Sequence, residues 1–488
     1  MTIATRGGAT VLPALPLTSP PSNEPSKGLG EEPSEEPSEK LTGEQGAELA
    51  ALLLNGGTVS TDTALVHSDR SGWAPAGYPR AVVRVAHVDE VGPVVAWAAR
   101  HGIPIVPRGA GSGLAGGASA GEGAVVLDLT GLDRILAIDP LNQLAVVEPG
   151  VITADLDRAA AAHGLRYAPD PGSVEISTIG GNIATNAGGL RGAKYGVTRD
   201  AVLALDLVLA DGSLLSTGRP TIKTVAGYDL TSLFVGSEGT LAIVVGATVR
   251  LQPIPARTAT LSAFFDTVGS AAEAVSRLTR AGIQAAVLEL VDGNTLAAID
   301  AAEGTDLRSR GGAYLLLQTD GFGADEELEL AVSVLEPIAL LIERAVHADE
   351  VEALTRARRR ALPSIEALGP VLIEDISVPR SGLALAVARI GEIAKRRGVR
   401  IFVFGHAADG NLHPVVLVGD DRAAADAAAG EIFALALELG GSLSAEHGIG
   451  ALKRDWIRAE LGEQSHDLQR RLKALLDPAG ILNPGKAL

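Results

Sequence analysis

A chain of 488 residues, 46% of them hydrophobic, has room for two or three packed domains with a substantial core. Its formal net charge of −18 argues against nucleic acid or an anionic membrane surface as the main partner. With no cysteine, disulfides, a cysteine-ligated iron–sulfur cluster and a thiol nucleophile are excluded, and a reducing cytoplasmic setting fits.

Residues 1 to about 45 repeat Pro, Ser and Glu, as in Glu31-Glu32-Pro33-Ser34-Glu35-Glu36-Pro37-Ser38. Such a segment buries too little apolar surface to offset ordering, so a disordered tail is predicted. No run of ~18 uncharged apolar residues occurs, so no membrane span is expected. From residue 46 onward short strand-like runs alternate with Ala-rich helical stretches. Ala81–Val85 and Ile103–Val106 read as strands around a helix at Val88–His101, which Gly102-Ile103-Pro104 ends. Val125–Leu129, Ile135–Ile138 and Ala145–Glu148 read as strands, Thr153–His163 as a helix, and Ala201–Ala210 and Gly239–Leu251 as strands.

Between the early strands lies Pro107-Arg108-Gly109-Ala110-Gly111-Ser112-Gly113-Leu114-Ala115-Gly116-Gly117, with five glycines in nine residues. It contains G-x-G-x-x-G, yet a Rossmann site needs a helix directly after the loop, and Ala118–Gly123 leads to a strand instead. A side-chain-free loop can still wrap its N–H groups around a pyrophosphate. A second small-residue stretch, Pro169-Asp170-Pro171-Gly172 and then Ser177–Gly189, permits close approach of backbone to a flat ligand. Lys194-Tyr195-Gly196 and Gly236-Ser237-Glu238-Gly239 follow.

Gln252-Pro253-Ile254-Pro255 marks a boundary, so residues 46–255 and 256–440 are expected to form separate domains. In the second, helical stretches at Ser270–Ala281 and Glu326–Glu336 alternate with strand-like Gly312–Gln318 and Val371–Ser377, an α+β arrangement with an antiparallel sheet. Near its end Gly405-His406-Ala407-Ala408-Asp409-Gly410-Asn411-Leu412-His413 reads as a hairpin. If Asp409 and Gly410 are the two loop residues, His406 and His413 face each other with Cβ atoms roughly 5 Å apart, near enough to share a metal ion. Glu446 can supply an oxygen ligand and His447 an acid/base beside the metal. A histidine pair in a hairpin can also be purely structural. Residues 441–488, ending in Asn483-Pro484-Gly485-Lys486, are expected to return to the first domain.

These segments, in this order from about Tyr78 to Gly485, resemble the FAD-linked oxidases of the vanillyl-alcohol oxidase superfamily. The likeness is to the D-2-hydroxy-acid dehydrogenase branch, which includes glycolate oxidase flavoprotein subunits, D-lactate dehydrogenases and D-2-hydroxyglutarate dehydrogenase. The resemblance implies an α+β fold with a two-part, PCMH-type FAD domain, an α+β cap and a C-terminal piece. It places Pro107, Arg108, Gly109, Ala110, Gly111, Ser112, Gly113 and Leu114 on the FAD pyrophosphate. Pro171, Thr178, Gly181, Asn182, Ala184, Thr185, Asn186, Tyr195, Glu238, Gly239, Ile243 and Asn483 would be further cofactor contacts, with Glu238 and Ile243 at the adenosine half. With no histidine between Ile103 and Leu129, FAD is expected to be non-covalent, and Ala242 replaces the family's usual glycine.

By the same resemblance His406, His413 and Glu446 bind a divalent metal and His447 is the base. Mixed His/Glu ligation suits Zn, with Mn, Co or Fe as alternatives. Arg358, within Arg356-Ala357-Arg358-Arg359-Arg360, aligns with the carboxylate-binding arginine, while its neighbours read as a solvated helix face. The hydroxyglutarate enzymes carry Lys two residues before the Asp of Asp375-Ile376-Ser377-Val378-Pro379, and this chain has Ile373. The expectation is therefore oxidation of a small D-2-hydroxy acid such as lactate or glycolate to the 2-oxo acid. The alternatives are D-2-hydroxyglutarate dehydrogenation, or a sugar or aldonolactone oxidase, which would not require the two histidines and Glu446. A cytochrome, a quinone, an electron-transfer flavoprotein or O2 fits as electron acceptor, and a homodimer is compatible.

Overall fold

The computed structural model describes residues 40–488. Of the predicted tail, residues 1–39 lie outside the described residues. Its far boundary is earlier than expected, because helix Gly43–Leu52 already starts there, with Thr42 and Gln45 forming a reciprocal capping box.

Among the described residues three larger sheets follow in chain order, beside a two-stranded pairing of Leu165–Arg166 with Gln252–Pro253. The first has the order Thr58–Ser60, Ala81–Arg84, Val125–Asp128, Ile105–Arg108, and its last three strands are parallel. The crossover is helix Val91–His101, which buries Val91, Val94, Val95, Trp97 and Ala98 and ends at Gly102 with φ 61°. The second sheet is antiparallel, in the order Ile135–Asp139, Leu144–Val147, Ile243–Arg250, Val202–Val208, Leu214–Gly218. The span from Gly109 to Ala124 contains no helix, as a non-Rossmann glycine loop requires. The small-residue stretch holds a helix that its glycines concealed, Ile179–Thr185, capped by the Thr178 hydroxyl.

The third sheet runs Leu341–Ala345, Thr258–Phe265, Ala313–Asp320, Val287–Asp292, Ile401–His406, Asn411–Leu417, Val371–Ile373 and is antiparallel, with Ile376–Ser377 also on the Asn411–Leu417 strand. Strand alternation gives it two apolar faces. Leu261, Leu290, Leu315 and Val403 pack on one side with helices Val268–Arg280, Ala324–Leu335, Leu383–Arg397 and Arg422–Glu438. Phe264, Val287, Val291, Phe402, Phe404 and Val415 pack on the other with helices Gly293–Glu303 and Ala348–Glu366. The last segment returns to the first sheet, where Ile105 N–H donates to the Ile481 carbonyl at 2.7 Å and Asn483 N–H to the Ile105 carbonyl at 2.8 Å.

The hairpin register differs from the expected one. His406 pairs with Asn411 and Phe404 with His413, so the connection is the four residues Ala407–Gly410 and the two histidines are diagonal, not opposite. A shift of two keeps both side chains on one face, because the side-chain period of a strand is two. Gly410 takes φ 85°, and a Cβ there would lie 2.1 Å from the Val378 carbonyl oxygen, so the turn closes against the neighbouring strand instead of ending early.

Candidate active site

One cavity of about 840 Å³ is lined by the glycine loop at one part and by His406, His413, Glu446, His447 and Arg358 at another. Its glycine part is a backbone cradle. A Cβ on Gly109 would come within 2.3 Å of the Thr178 hydroxyl, so only glycine lets strand end and helix start approach there. Pro107 to Leu114, Pro171, Thr178, Gly181, Asn182, Ala184, Thr185, Glu238, Gly239 and Ile243 all line the cavity.

Several of the expected contact residues also hold the fold around the cradle. The Arg108 guanidinium donates to the carbonyls of Ala118 at 2.8 Å and Ser68 at 3.1 Å, so it braces the loop. The Glu238 carboxylate accepts from Ile449 N–H and Gly450 N–H, both at 2.8 Å, tying down the segment after His447. Asn483 does not line the cavity; its amide donates to the carbonyls of Glu238 at 2.7 Å and Gly117 at 3.0 Å, one layer behind the cradle. Asn186 is the left-handed residue that ends helix Ile179–Thr185, and its Oδ1 accepts from Arg199 N–H at 2.9 Å. Tyr195 is also outside the cavity, with its hydroxyl 2.7 Å from both Asp320 oxygens and Arg166 stacked 4.3 Å above its ring.

At the other part the third sheet supplies the side chains. His406 Nε2 lies 3.2 Å from Glu446 Oε1 and 3.4 Å from His413 Nε2, and His413 Nε2 lies 3.9 Å from Glu446 Oε2. Ligand atoms held ~2.1 Å from a tetrahedral ion are ~3.4 Å apart, so these three sites fit one small divalent cation. Asp375, His413 and His447 form a second, overlapping group. In it one oxygen of Asp375 is already committed: Oδ2 accepts from the Ser444 hydroxyl at 2.7 Å and from the N–H groups of Ala445, Glu446 and His447 at 2.9, 2.9 and 3.0 Å. Asp375 therefore shapes the loop that carries Glu446 and His447, and Lys453 helps by donating to the Asp375 carbonyl at 3.0 Å.

Burial pulls the His406 pKa down, but Glu289 and Glu446 outweigh it and hold it well above the ordinary value, the response of a site that wants positive charge. Burial and the His406 charge keep His413 well below its usual value. Burial likewise lowers His447, which leaves its imidazole neutral and able to accept a proton. Its Nδ1 is buried without a hydrogen-bond partner, and its ring stacks on His413 with centroids 5.4 Å apart.

Three of the four arginines of the run behave as expected. Arg356 and Arg360 pair with Glu303 and Arg359 with Glu352 on the outside of helix Ala348–Glu366, while Ala357 is buried. Arg358 turns inward, stacks 4.6 Å over the Phe404 ring and donates Nε–H to Glu289 Oε2 at 2.5 Å. Glu289 is fully buried, and its other oxygen lies 2.6 Å from His406 Nδ1. Sequence reasoning passed over Glu289. A carboxylate with apolar residues on both sides, in the middle of strand Val287–Asp292, was the available signal, since an unpaired charge there would be too costly to bury.

The family descriptor "FAD binding domain" matches residues 79–218 and "FAD linked oxidases, C-terminal domain" matches residues 254–487. The chain is 44% identical over 418 residues to the glycolate oxidase subunit GlcD of Bacillus subtilis, covering 84% of this chain and 88% of that protein. It is 37% identical over 413 residues to D-lactate dehydrogenase of Archaeoglobus fulgidus, covering 83% and 91%. A solved structure of p-cresol methylhydroxylase with substrate bound superposes with a TM-score of 0.75 at 19% identity, covering 91% of this chain and 96% of that one, which shows the shared fold. The glycine cradle, the buried histidine cluster and these matches agree: the chain belongs to the FAD-linked oxidases, with the fold of the vanillyl-alcohol oxidase superfamily, and is an FAD-dependent oxidoreductase.

Proposed function

We propose that the protein oxidises a small D-2-hydroxy acid, of the lactate or glycolate type, to the 2-oxo acid with the help of a divalent metal, zinc being the first candidate. The observation that carries this is the convergence of His406, His413 and Glu446 beside a neutral His447 and an inward Arg358, in the same cavity as the glycine cradle. The relatives named for glycolate and D-lactate oxidation support the substrate class.

FAD, when bound, supplies at N5 the acceptor for the hydride, and the metal supplies Lewis-acid polarisation of the substrate oxygens. The chain's own residues do the rest. Nε of Arg358 is taken by Glu289, so its two terminal nitrogens are left to grip the substrate carboxylate as a planar fork. His447 accepts the C2 hydroxyl proton while the C2 hydrogen leaves with its electron pair, and the C–O bond becomes a carbonyl. The two together are a balanced two-electron oxidation. Leu190, Leu362, Phe404 and Ile373 line the same cavity, and Arg359, which also lines it, is paired with Glu352, which favours a short or apolar side chain over hydroxyglutarate. Arg191, whose Nε lies 3.2 Å from Asp170 Oδ2, is already paired.

In this reading residues 46–255 with 441–488 form the cofactor half and 256–440 the cap. The cysteine-free composition fits a cytoplasmic enzyme, and a cytochrome, quinone, electron-transfer flavoprotein or O2 would take the electrons. Among the described residues no helix is long and apolar enough to cross a membrane. The test is anaerobic mixing of the holoenzyme with a panel of D- and L-2-hydroxy acids. Bleaching of the flavin band by D-lactate or glycolate is expected, with little from hydroxyglutarate. No bleaching by any member would sink the proposal.

A further inference from the structure

We infer that Glu289 is a positioning residue that couples the substrate-carboxylate clamp to the metal ligand His406. The inference rests on the reading just given and goes beyond it. Glu289 touches neither the substrate nor the ion in that reading, yet among the described residues it is the one carboxylate that joins Arg358 to His406.

Three observations carry it. First, Glu289 is 0% exposed, so its charge is held entirely by its partners. Secondly, those partners are divided between its two oxygens, with Arg358 Nε at 2.5 Å on Oε2 and His406 Nδ1 at 2.6 Å on Oε1. Thirdly, the strand register sets Glu289 directly opposite His406, on the sheet face that carries Phe404 and His413. Arg358 reaches this face from helix Ala348–Glu366, stacking on Phe404 on the way.

The geometry decides the tautomer of His406. With Nδ1–H donated to Glu289, the proton that an ion must displace is the one on Nε2, and the lone pair freed there points at Glu446 and His413, as a metal ligand must. A carboxylate that accepts on both oxygens does this and orients Arg358 at once. A neutral amide cannot. Gln at 289 offers one acceptor and one donor, so either the Arg358 N–H or His406 Nδ1 meets an N–H. If the amide donates to Nδ1, His406 takes the opposite tautomer, with a proton on Nε2 where the ion should bind. Displacement of one partner is thus felt by the other across Glu289. His413 has a looser counterpart, Asp375 Oδ1 at 3.8 Å from its Nδ1, too far for a hydrogen bond.

The experiment measures zinc binding by competition with a chromophoric chelator, in FAD-loaded wild type, E289Q, E289D, R358K and E289Q/R358K, together with FAD content and melting temperature. In the wild type one tightly bound ion is expected. E289Q should lose about 10- to 100-fold in zinc affinity. Saturating zinc should then restore flavin reduction only with a raised KM for D-lactate, because Arg358 is also released. E289D, which keeps the charge on a shorter stem, should recover part of both losses. R358K should weaken zinc although Arg358 does not touch His406, and should add nothing further in the E289Q background. Equal zinc affinity in wild type and in a folded E289Q would overturn the inference alone. So would additive effects of the two substitutions. If E289Q does not fold, R358K decides: unchanged zinc affinity there overturns the coupling. A wild type that binds no divalent ion would overturn the metal reading itself, and the inference with it.

Discussion

The role proposed for His447 rests on the company around it. Stacked on His413 and followed by the stretch whose N–H groups Glu238 holds, its imidazole is kept neutral by burial at a fixed place. His447→Ala is expected to keep FAD and to lower the rate of flavin reduction by substrate about 10²- to 10⁴-fold, the usual worth of a general base. Rapid anaerobic mixing reads this directly, and undiminished reduction would remove His447 from the mechanism. His406, His413, Glu446 and His447 were all legible in the sequence, because histidines flanked by glycine and carboxylate are unusual in an apolar strand. Glu289 and the role of Asp375 were not, since a lone acidic residue carries no sign of which donors will reach it through space. Tyr195, Asn186 and Asn483 came from likeness of motif, and the fold uses them one layer behind the cavity.

Among elements, the hairpin Ile401–His406 and Asn411–Leu417 is the one on which the site depends. Asp-Gly suggested a two-residue loop, but tertiary contact with Val378 favours four residues, and Gly410 at φ 85° is the position that cannot change. Gly410→Ala is expected to cost at least about 2 kcal/mol, from left-handed strain plus a steric clash, measured by denaturant unfolding. An unaltered midpoint would show that the turn can relax. Asp292, beside the same sheet face, caps helix Gly293–Glu303 by accepting from Thr295 N–H at 2.8 Å. Burial raises its carboxyl from 3.8 to about 6, against the Thr295 hydrogen bonds and Arg308. The folded state therefore binds more protons than the unfolded between those values, so this group's contribution to stability falls as pH rises from about 4 to about 6. Asn caps equally well and does not titrate. Asp292→Asn should match the wild type near pH 4 and exceed it by on the order of 2 kcal/mol at pH 7. Parallel pH profiles of the two proteins would contradict this.

At the scale of the whole molecule the site exists only where the third sheet meets the glycine cradle. Asp320 at the end of strand Ala313–Asp320 bolts the two together, accepting from Lys194 Nζ at 2.6 Å and Tyr195 Oη at 2.7 Å, with Arg166 Nη2 at 3.3 Å. All are half-buried or deeper, so Asp320→Ala strands two cations and should destabilise by ~3 kcal/mol or more. Flavin reduction should fall further than FAD content does, and thermal unfolding with parallel flavin assays checks both. The proposed metal is tested at the same scale. Dialysis against a chelator should leave FAD bound and lower turnover at least about 10²-fold, with recovery on adding zinc. Full turnover by protein shown to be metal-free would exclude the Lewis-acid role.

The amino-acid sequence by itself determined the segments and their order: a polar first stretch, a glycine loop without a following helix, a Pro-rich break at Gln252–Pro255, and a histidine hairpin followed by Glu446-His447. Those properties are local, set by backbone freedom, periodicity and turn chemistry. Only the tertiary structure decided which side chains meet. Strand register put Glu289 opposite His406, the return of residues 481–483 set Asn483 behind the cradle, and burial made His447 neutral and Glu289 dependent on Arg358. Such pairings span more than a hundred residues of chain in the case of Glu289 and His406, and their worth depends on exclusion of water, which no local pattern specifies.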